Sequence, residues 1–156
     1  MNQYETLRLK NQLCFPLYLC SKEIIRKYTT YLKDVDLTYT QYIVMMFFWE
    51  EGSSNLKELG KTMILDSSTL TPLVNKLVKK GYLSKEKQSK DERYVMISIT
   101  KEGKELQEKA LKIQEEMNKS LCLTEEEVEF LYKILYKVLF NIEKEKENGF
   151  NQDKSR

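Results

Sequence analysis

The residues of this sequence best suited to covalent chemistry are its three cysteines, Cys14, Cys20 and Cys122. No two of them form a CxxC pair, which argues against a zinc site and against a thioredoxin-like enzyme. The sequence has no histidine, so it lacks the commonest general base and metal ligand. We therefore expect no metal, no cofactor and no catalytic residue, and we expect any reactivity to come from a thiol.

Cys14 has a sequence context that favours reactivity. Apolar residues at helical spacing predict a helix from about Leu13 to Leu32, and Pro16 is tolerated only in its first turn. Cys14 then lies beside a helix N-terminus, which stabilises the thiolate that attacks a peroxide oxygen, and sulfenic acid would be the first product. The alternative is an inert packing residue, since free cysteines usually behave as small hydrophobes. We assign that role to Cys20.

The stretch from Asn55 to Ile99 has the pattern of a winged helix-turn-helix. Its predicted elements are a helix over Asn55–Met63, a helix over Ser67–Lys80, and strands over Tyr82–Lys87 and Arg93–Thr100. Asn55 is expected to cap the first helix, with Glu58 returning a hydrogen bond to its amide. Pro72 falls inside the second helix, and it predicts a loosened or 3₁₀ first turn there.

The second helix and the hairpin carry side chains suited to DNA. Hydroxyls cluster at the helix start, at Ser67, Ser68, Thr69 and Thr71, and basic residues follow at Lys76, Lys79, Lys80, Lys85, Lys87, Lys90 and Arg93. The bland alternative is that the hydroxyls only cap the helix and the lysines are solvated. Because all of them fall in one supersecondary unit, we favour a recognition helix that contacts phosphates and base edges in a major groove.

The charge distribution agrees with DNA contact by the middle of the chain. The net charge is only +2, but residues 57–104 hold 11 Lys/Arg against 6 Asp/Glu, whereas residues 105–147 hold 7 against 11. A basic centre between neutral and acidic segments is typical of a protein that touches a polyanion with its centre alone.

The remaining segments predict helices that flank the DNA-binding unit. Thr38 and Gln41 form a capping box before an apolar helix, Tyr42–Glu50, which should be buried nearly all round. A helix of about Lys101–Asn118 follows the hairpin, and a last helix runs from a capping box at Thr124 to about Lys146 with apolar residues in near-heptad spacing.

These elements predict a mainly α fold with a small β-ribbon wing in a single domain of residues 1–156. Within it we expect a winged helix-turn-helix over about 37–100, dimerisation helices over about 7–34 and 101–147, and a disordered tail over 148–156. A symmetric dimer would present two recognition helices to an inverted repeat in duplex DNA. With no signal-like N-terminus and no long apolar run, we expect a cytoplasmic protein that does not contact membranes.

With LDSSTLTPLVNKL as recognition helix and SKDERYVMISIT as wing, the sequence resembles the MarR family of dimeric winged-helix repressors. The segments NQLCFPLY and LTYTQYIVM narrow the resemblance, over about Leu7 to Gly103, to the OhrR/SarZ/MgrA-like branch. Members of that branch sense organic hydroperoxides or related oxidants through one N-terminal cysteine.

The resemblance implies roles for individual residues. Cys14 falls on the sensing cysteine, Tyr28 and Tyr39 on tyrosines whose hydroxyls bond its sulfur, and Cys122 on the region where two-cysteine members carry a resolving thiol. The alternative is that Cys122 is an incidental cysteine with no role in sensing. The DNA-contacting positions that the resemblance implies are Asp66, Ser67, Thr69, Thr71, Lys76, Asp91 and Arg93. Ser68 stands where the family motif has glycine.

The sequence therefore predicts a homodimeric, oxidant-sensing repressor that releases its operator when organic hydroperoxide oxidises Cys14. One alternative is a MarR-type regulator controlled by an aromatic or lipid ligand, which the aromatic-rich stretch Tyr39–Trp49 would line. A second alternative is a thiol peroxidase, for which sustained turnover with a reductant would be the evidence. The predicted chemistry is stoichiometric, so we expect that this protein is not an enzyme.

Overall fold

The computed structural model describes residues 4–87 and 95–153, and side chains over 4–86 and 95–144. Its helices are α1 (Cys14–Leu32), α2 (Tyr39–Glu51), α3 (Leu56–Met63), α4 (Ser67–Lys79), α5 (Lys101–Leu121) and α6 (Glu125–Asp153). Its strands are β1 (Ser53–Ser54), β2 (Leu83–Lys87) and β3 (Val95–Ile99). Short 3₁₀ turns cover Glu5–Leu7, Leu9–Asn11 and Lys33–Val35. The predicted mainly α fold with a winged helix-turn-helix is confirmed.

Local capping fixes where most of the helices begin. Thr38 Oγ1 accepts from the Gln41 amide, and Gln41 Oε1 accepts from the Thr38 amide, so the predicted capping box is complete. Thr124 and Glu127 form the same pair of bonds at the start of α6. Because a cap needs only side chains within three residues, sequence locates it well.

The cap of α3 differs from the prediction in one bond. Asn55 Oδ1 accepts from the amides of Lys57 and Glu58, as expected for an N-cap. The Glu58 carboxylate instead pairs with Lys61 Nζ at 2.9 Å. The cap therefore rests on Asn55, without the predicted return bond from Glu58.

Helix α4 is α-helical from its first residue, so the predicted loosened first turn is wrong. Pro72 lies in the second turn, and the Thr71 hydroxyl donates to the Ser67 carbonyl at 2.7 Å beside it. The first turn is held by Asp66, which caps the helix through the Thr69 amide. At the other end Gly81 adopts φ +79° and closes the helix as its C′ residue.

The wing belongs to a three-stranded antiparallel sheet in the order β1-β3-β2. In β3, Ile97 is fully buried and lies opposite both Ser54 of β1 and Lys85 of β2. Sequence reasoning missed β1, because two residues carry no alternation that could be recognised. Residues 88–94, which include the predicted wing tip at 88–92, lie outside the described part of the chain.

The core lies where the end of α1, α2, α4 and the sheet pack with α3 and α5. Its fully buried side chains are Leu32, Val44, Met45, Phe48, Leu59, Leu70, Val74, Leu77, Leu83, Ile97 and Met117. Helix α2 is largely buried, as predicted, although Met46 is 44% exposed. Gly103 at the start of α5 lies against the Tyr82 carbonyl, where a Cβ would come within 2.2 Å of the oxygen.

The chain divides into two compact units, Met1–Met117 and Asn118–Arg156. In the second unit, α6 presents large apolar side chains to solvent, including Phe130, Tyr136 and Phe140. The helix continues to Asp153, past the predicted end at Lys146. Thus residues 148–153 are helical where we expected a disordered tail. None of the described helices is long and apolar enough to cross a membrane.

Candidate nucleic-acid interface and cysteine sites

Helix α4 buries one face and exposes the other. Leu70, Val74 and Leu77 are fully buried, whereas Ser67, Ser68, Thr69, Pro72, Asn75, Lys76 and Lys79 are exposed. Thr71 is half-buried beside them. The hydroxyls and lysines predicted to face DNA are therefore on the solvent side of a helix that the core holds in place.

Asp66 has a structural task that sequence reasoning missed. One carboxylate oxygen accepts from the Ser68 hydroxyl at 2.5 Å and from the Thr69 amide at 2.8 Å. These hydrogen bonds hold the pKa of Asp66 below its usual value, and the bond from the Ser68 hydroxyl has the largest effect. Asp66 thus fixes the start of α4 as its N-cap, and a direct contact with DNA stays a prediction.

The wing contacts one flank of α4. Lys85 Nζ of β2 donates to Asn75 Oδ1 at 2.5 Å, which ties the base of the wing to the recognition helix. Of the predicted wing contacts, Lys90, Asp91 and Arg93 lie outside the described residues. Their roles in DNA binding stay predictions.

Cys14 lies at the N-terminus of α1, as predicted, although the helix begins at Cys14 and not at Leu13, and its side chain is exposed in this chain. No side chain caps the helix, because Leu13 holds the N-cap position. The Phe15 amide bonds the Gln12 carbonyl, and Pro16 has no amide hydrogen to donate. An exposed sulfur at a helix N-terminus has the accessibility that reaction with a small oxidant requires.

Tyr28 and Tyr39 lie together, at the other end of α1. Their rings are 4.9 Å apart, and Tyr42 is 5.6 Å from Tyr28. The Tyr28 hydroxyl donates to Gln114 Oε1 of α5 at 3.0 Å. Burial raises the pKa of Tyr39, and it raises that of Tyr42 with a further contribution from Tyr39. The phenols of Tyr39 and Tyr42 are therefore neutral hydrogen-bond donors at physiological pH.

The other two cysteines are also exposed. Cys122 lies in the predicted break between α5 and α6, with φ +50°, and its thiol donates to the Lys119 carbonyl at 3.1 Å. Cys20 lies within α1, about one and two-thirds turns after Cys14. Its exposure differs from the packing role that we predicted, and in the isolated chain nothing buries it.

Comparison with known proteins places this architecture in a family. Residues 26–110 match the family described as transcriptional regulator SarA/Rot. The HTH-type transcriptional regulator SarZ of Staphylococcus aureus strain MRSA252 is 46% identical over 123 residues, which cover 79% of this chain and 83% of SarZ. The chain belongs to the SarA/Rot family. It is a MarR-type winged-helix transcriptional regulator of the SarZ branch, so the predicted resemblance is confirmed.

Solved structures of AbfR, a protein of Staphylococcus epidermidis, are similar over 91–92% of this chain. Reduced AbfR bound to DNA is 34% identical with a TM-score of 0.73, and this chain covers 99% of it. Overoxidised AbfR bound to DNA gives 0.72, also at 34% identity and 99% coverage. Disulfide-formed AbfR is 33% identical with a TM-score of 0.64 and 97% coverage. This SarA/Rot family member is thus a DNA-binding regulator with relatives that exist in several oxidation states.

Two contacts of this family member could not be read from its sequence. Gln114 binds Tyr28 across 86 residues of chain, and Trp49 Nε1 donates to the Gly103 carbonyl at 2.8 Å across 54 residues. A buried indole or phenol needs a hydrogen-bond partner, but the sequence does not say which residue supplies it. Across residues 4–87 and 95–153, no group of three potential metal ligands is brought together.

Proposed function

We propose that this chain is a homodimeric repressor that binds an inverted repeat in its reduced state and releases it when an organic hydroperoxide oxidises Cys14. The observation that carries the proposal is Cys14 itself, an exposed thiol on the first residue of α1 in a DNA-binding regulator. Each Cys14 thiol consumes one molecule of oxidant, and the chain does not itself regenerate the thiol. The chain therefore acts as a sensor and not as a thiol peroxidase.

DNA binding is assigned to the exposed face of α4 and to the wing. The hydroxyls of Ser67, Ser68, Thr69 and Thr71 and the ammonium of Lys76 supply the contacts to phosphates and base edges. Lys90, Asp91 and Arg93 extend these contacts from the wing. Reduced AbfR, solved with DNA, supports this assignment because it shares the fold and a third of the sequence.

Dimerisation is assigned to the exposed apolar side chains of both units. Leu17 and Tyr18 of α1 are 37% and 61% exposed, and Phe130 and Tyr136 of α6 are 67% and 66% exposed. Monomeric proteins rarely leave so many large apolar side chains in water, so a second copy of the chain is the expected cover. Two copies present two α4 helices, which sets the spacing of the two half-sites.

Sensing is assigned to Cys14 with tyrosines from the partner subunit. Cys14, Ser21 and Tyr28 recur at intervals of seven residues and so lie along nearly the same face of α1. If two α1 helices cross antiparallel near Ser21, Cys14 of one subunit faces Tyr28 of the partner subunit. In the isolated chain the Tyr28 hydroxyl donates to Gln114. In the sensor it donates to the thiolate of the partner subunit instead and favours the thiolate over the thiol.

The release step is assigned to a disulfide between Cys14 and Cys122 of the partner subunit. Overoxidised AbfR is bound to DNA in a solved structure, so in that protein an oxidised state is compatible with DNA. A disulfide does more than change one sulfur, because it forces two Cα atoms to within about 7 Å and so repositions helices. Sulfenic acid on Cys14 condenses with the Cys122 thiol and expels water in forming that bond.

A binding experiment on the wild-type chain tests this function. Fluorescence anisotropy with a labelled duplex from the region upstream of the chain's own gene should show tight binding in dithiothreitol and loss of binding after cumene hydroperoxide. Dithiothreitol added afterwards should restore the complex. Tight binding before and after the oxidant would contradict the sensing role. Equal affinity for the upstream duplex and for a scrambled duplex would contradict the operator role.

A further inference from the structure

An open groove of about 620 Å³ lies beside the recognition helix. The end of α1, the 3₁₀ turn Lys33–Val35, the start of α2 and the last turns of α4 form its walls. Residues from four separate elements therefore meet next to the face of α4 that is assigned to DNA. Neither the hydroxyl cluster nor the wing accounts for this surface.

The groove is basic. Its charged lining residues are Lys33, Lys76, Lys80 and Asp36. Asp36 is neutralised by Lys80, whose ammonium lies 2.5 Å from the Asp36 carboxylate. Neither Lys33 nor Lys76 forms an ion pair with any residue in the described part of the chain, and both are exposed. Two cations are thus left to attract an anion.

The groove and the wing lie on opposite flanks of α4. Asn75 faces the wing through its bond with Lys85, whereas Lys76, one residue and about 100° further round the helix, faces the groove. The exposed residues Pro72 and Lys79 lie between these two flanks. A helix about 10–12 Å across fills a major groove about 12 Å wide, so the two DNA backbones run along its two flanks.

We propose that this groove, which we call the Lys33 groove, holds phosphates of the DNA strand on the side of α4 away from the wing. The inference rests on the proposed docking of α4 in the major groove and adds a second backbone contact to it. Lys33 and Lys76 bind the phosphates directly, and the Asp36–Lys80 pair fixes the α1–α2 corner against α4. An open channel lined by exposed lysines suits a passing phosphodiester chain better than an enclosed small molecule.

Replacing Lys33 tests the proposal, because Lys33 lies outside the recognition helix and the wing. Lys33→Gln should weaken binding of the reduced chain to the upstream duplex and to a scrambled duplex by the same factor, about three- to tenfold at moderate salt. The slope of log affinity against log salt should fall by about one, as expected for one lost phosphate contact. Lys33→Glu should weaken both duplexes further.

Lys27→Gln is the matched control, since Lys27 is an exposed α1 lysine that does not line the groove. It should leave both the affinity and the salt slope close to wild type. Equal effects of Lys33→Gln and Lys27→Gln would overturn the phosphate contact while wild-type binding stands. Weakening confined to the upstream duplex would also overturn it, because phosphate contacts carry no sequence information. Failure of the wild-type chain to bind either duplex would overturn this inference together with the proposed function.

Discussion

Cys14 and Tyr28 lie fourteen residues apart in α1, which separates their Cα atoms by about 21 Å. A hydrogen bond to sulfur needs heavy atoms within about 4 Å, so the Tyr28 hydroxyl of one chain cannot reach the thiol of the same chain. Any effect of Tyr28 on Cys14 must therefore act between subunits or through the helix.

Tyr28→Phe and Tyr39→Phe should each slow the oxidation of Cys14 severalfold, because each removes a donor that favours the thiolate. Tyr28 also binds Gln114, so Gln114→Leu is the matched control that removes this α1–α5 bond and leaves the phenol in place. Rates of Cys14 alkylation and oxidation, measured by mass spectrometry, check the effect. Equal rates in Tyr28→Phe and wild type would exclude the phenol from the sensor. A slowing that Gln114→Leu reproduces would assign the effect to helix packing.

Asp66→Ala should lower the midpoint of thermal unfolding and weaken DNA binding, because the Ser68 hydroxyl and the Thr69 amide lose their acceptor. Asp66→Asn should retain both properties, since asparagine is an equally good N-cap. Because the folded-state pKa of Asp66 is lowered, its contribution to stability is complete above about pH 5 and is lost as the pH falls through the lowered pKa. Circular dichroism and anisotropy give the two readouts. An Asn variant that is stable yet binds poorly would show that the charge itself contacts DNA.

Arg93→Ala should weaken binding of the reduced chain to the upstream duplex by at least about fivefold, because a guanidinium at the wing enters the minor groove or grips its phosphates. Lys90→Ala removes the same charge from the wing tip and should have a smaller effect. Anisotropy titrations over a range of salt concentrations compare the two. If Arg93→Ala binds as tightly as Lys90→Ala, the assignment of Arg93 to the wing contact is wrong.

Mild oxidation should produce a covalent dimer linked between Cys14 and Cys122. Cys122→Ser should abolish the dimer, and Cys20→Ser, which replaces another exposed cysteine, should leave it intact. A non-reducing gel followed by peptide mass spectrometry identifies the linked residues. Detection of only sulfenic or mixed-disulfide species on Cys14 would make Cys122 incidental and would remove the disulfide from the release step.

Features formed by residues that are close together in the sequence could be predicted, whereas features formed by distant residues could not. The caps at Thr38 and Thr124 and the glycine end at Gly81 were predictable because each uses residues within a few positions. The local effect of Pro72 predicts a loosened first turn, but the Asp66 cap outweighs that effect. Strand β1 exists only because β3 pairs with it from more than forty residues away.

The candidate site divides in the same way. The position of Cys14 at the first residue of α1 was predictable from Pro16, since proline restricts where a helix can begin. The bond between Tyr28 and Gln114 and the basic groove around Lys33 were not, because tertiary packing brings their residues together from separate elements.

Whether a Cys14→Ser variant still releases DNA after oxidation is the most direct test of the account. The reduced variant should bind the upstream duplex within about twofold of wild type, because Cys14 is exposed and far along α1 from the recognition helix. After cumene hydroperoxide, the wild-type complex should dissociate and the Cys14→Ser complex should persist in the same anisotropy assay. Equal dissociation of both complexes would contradict the claim that Cys14 is the sensor.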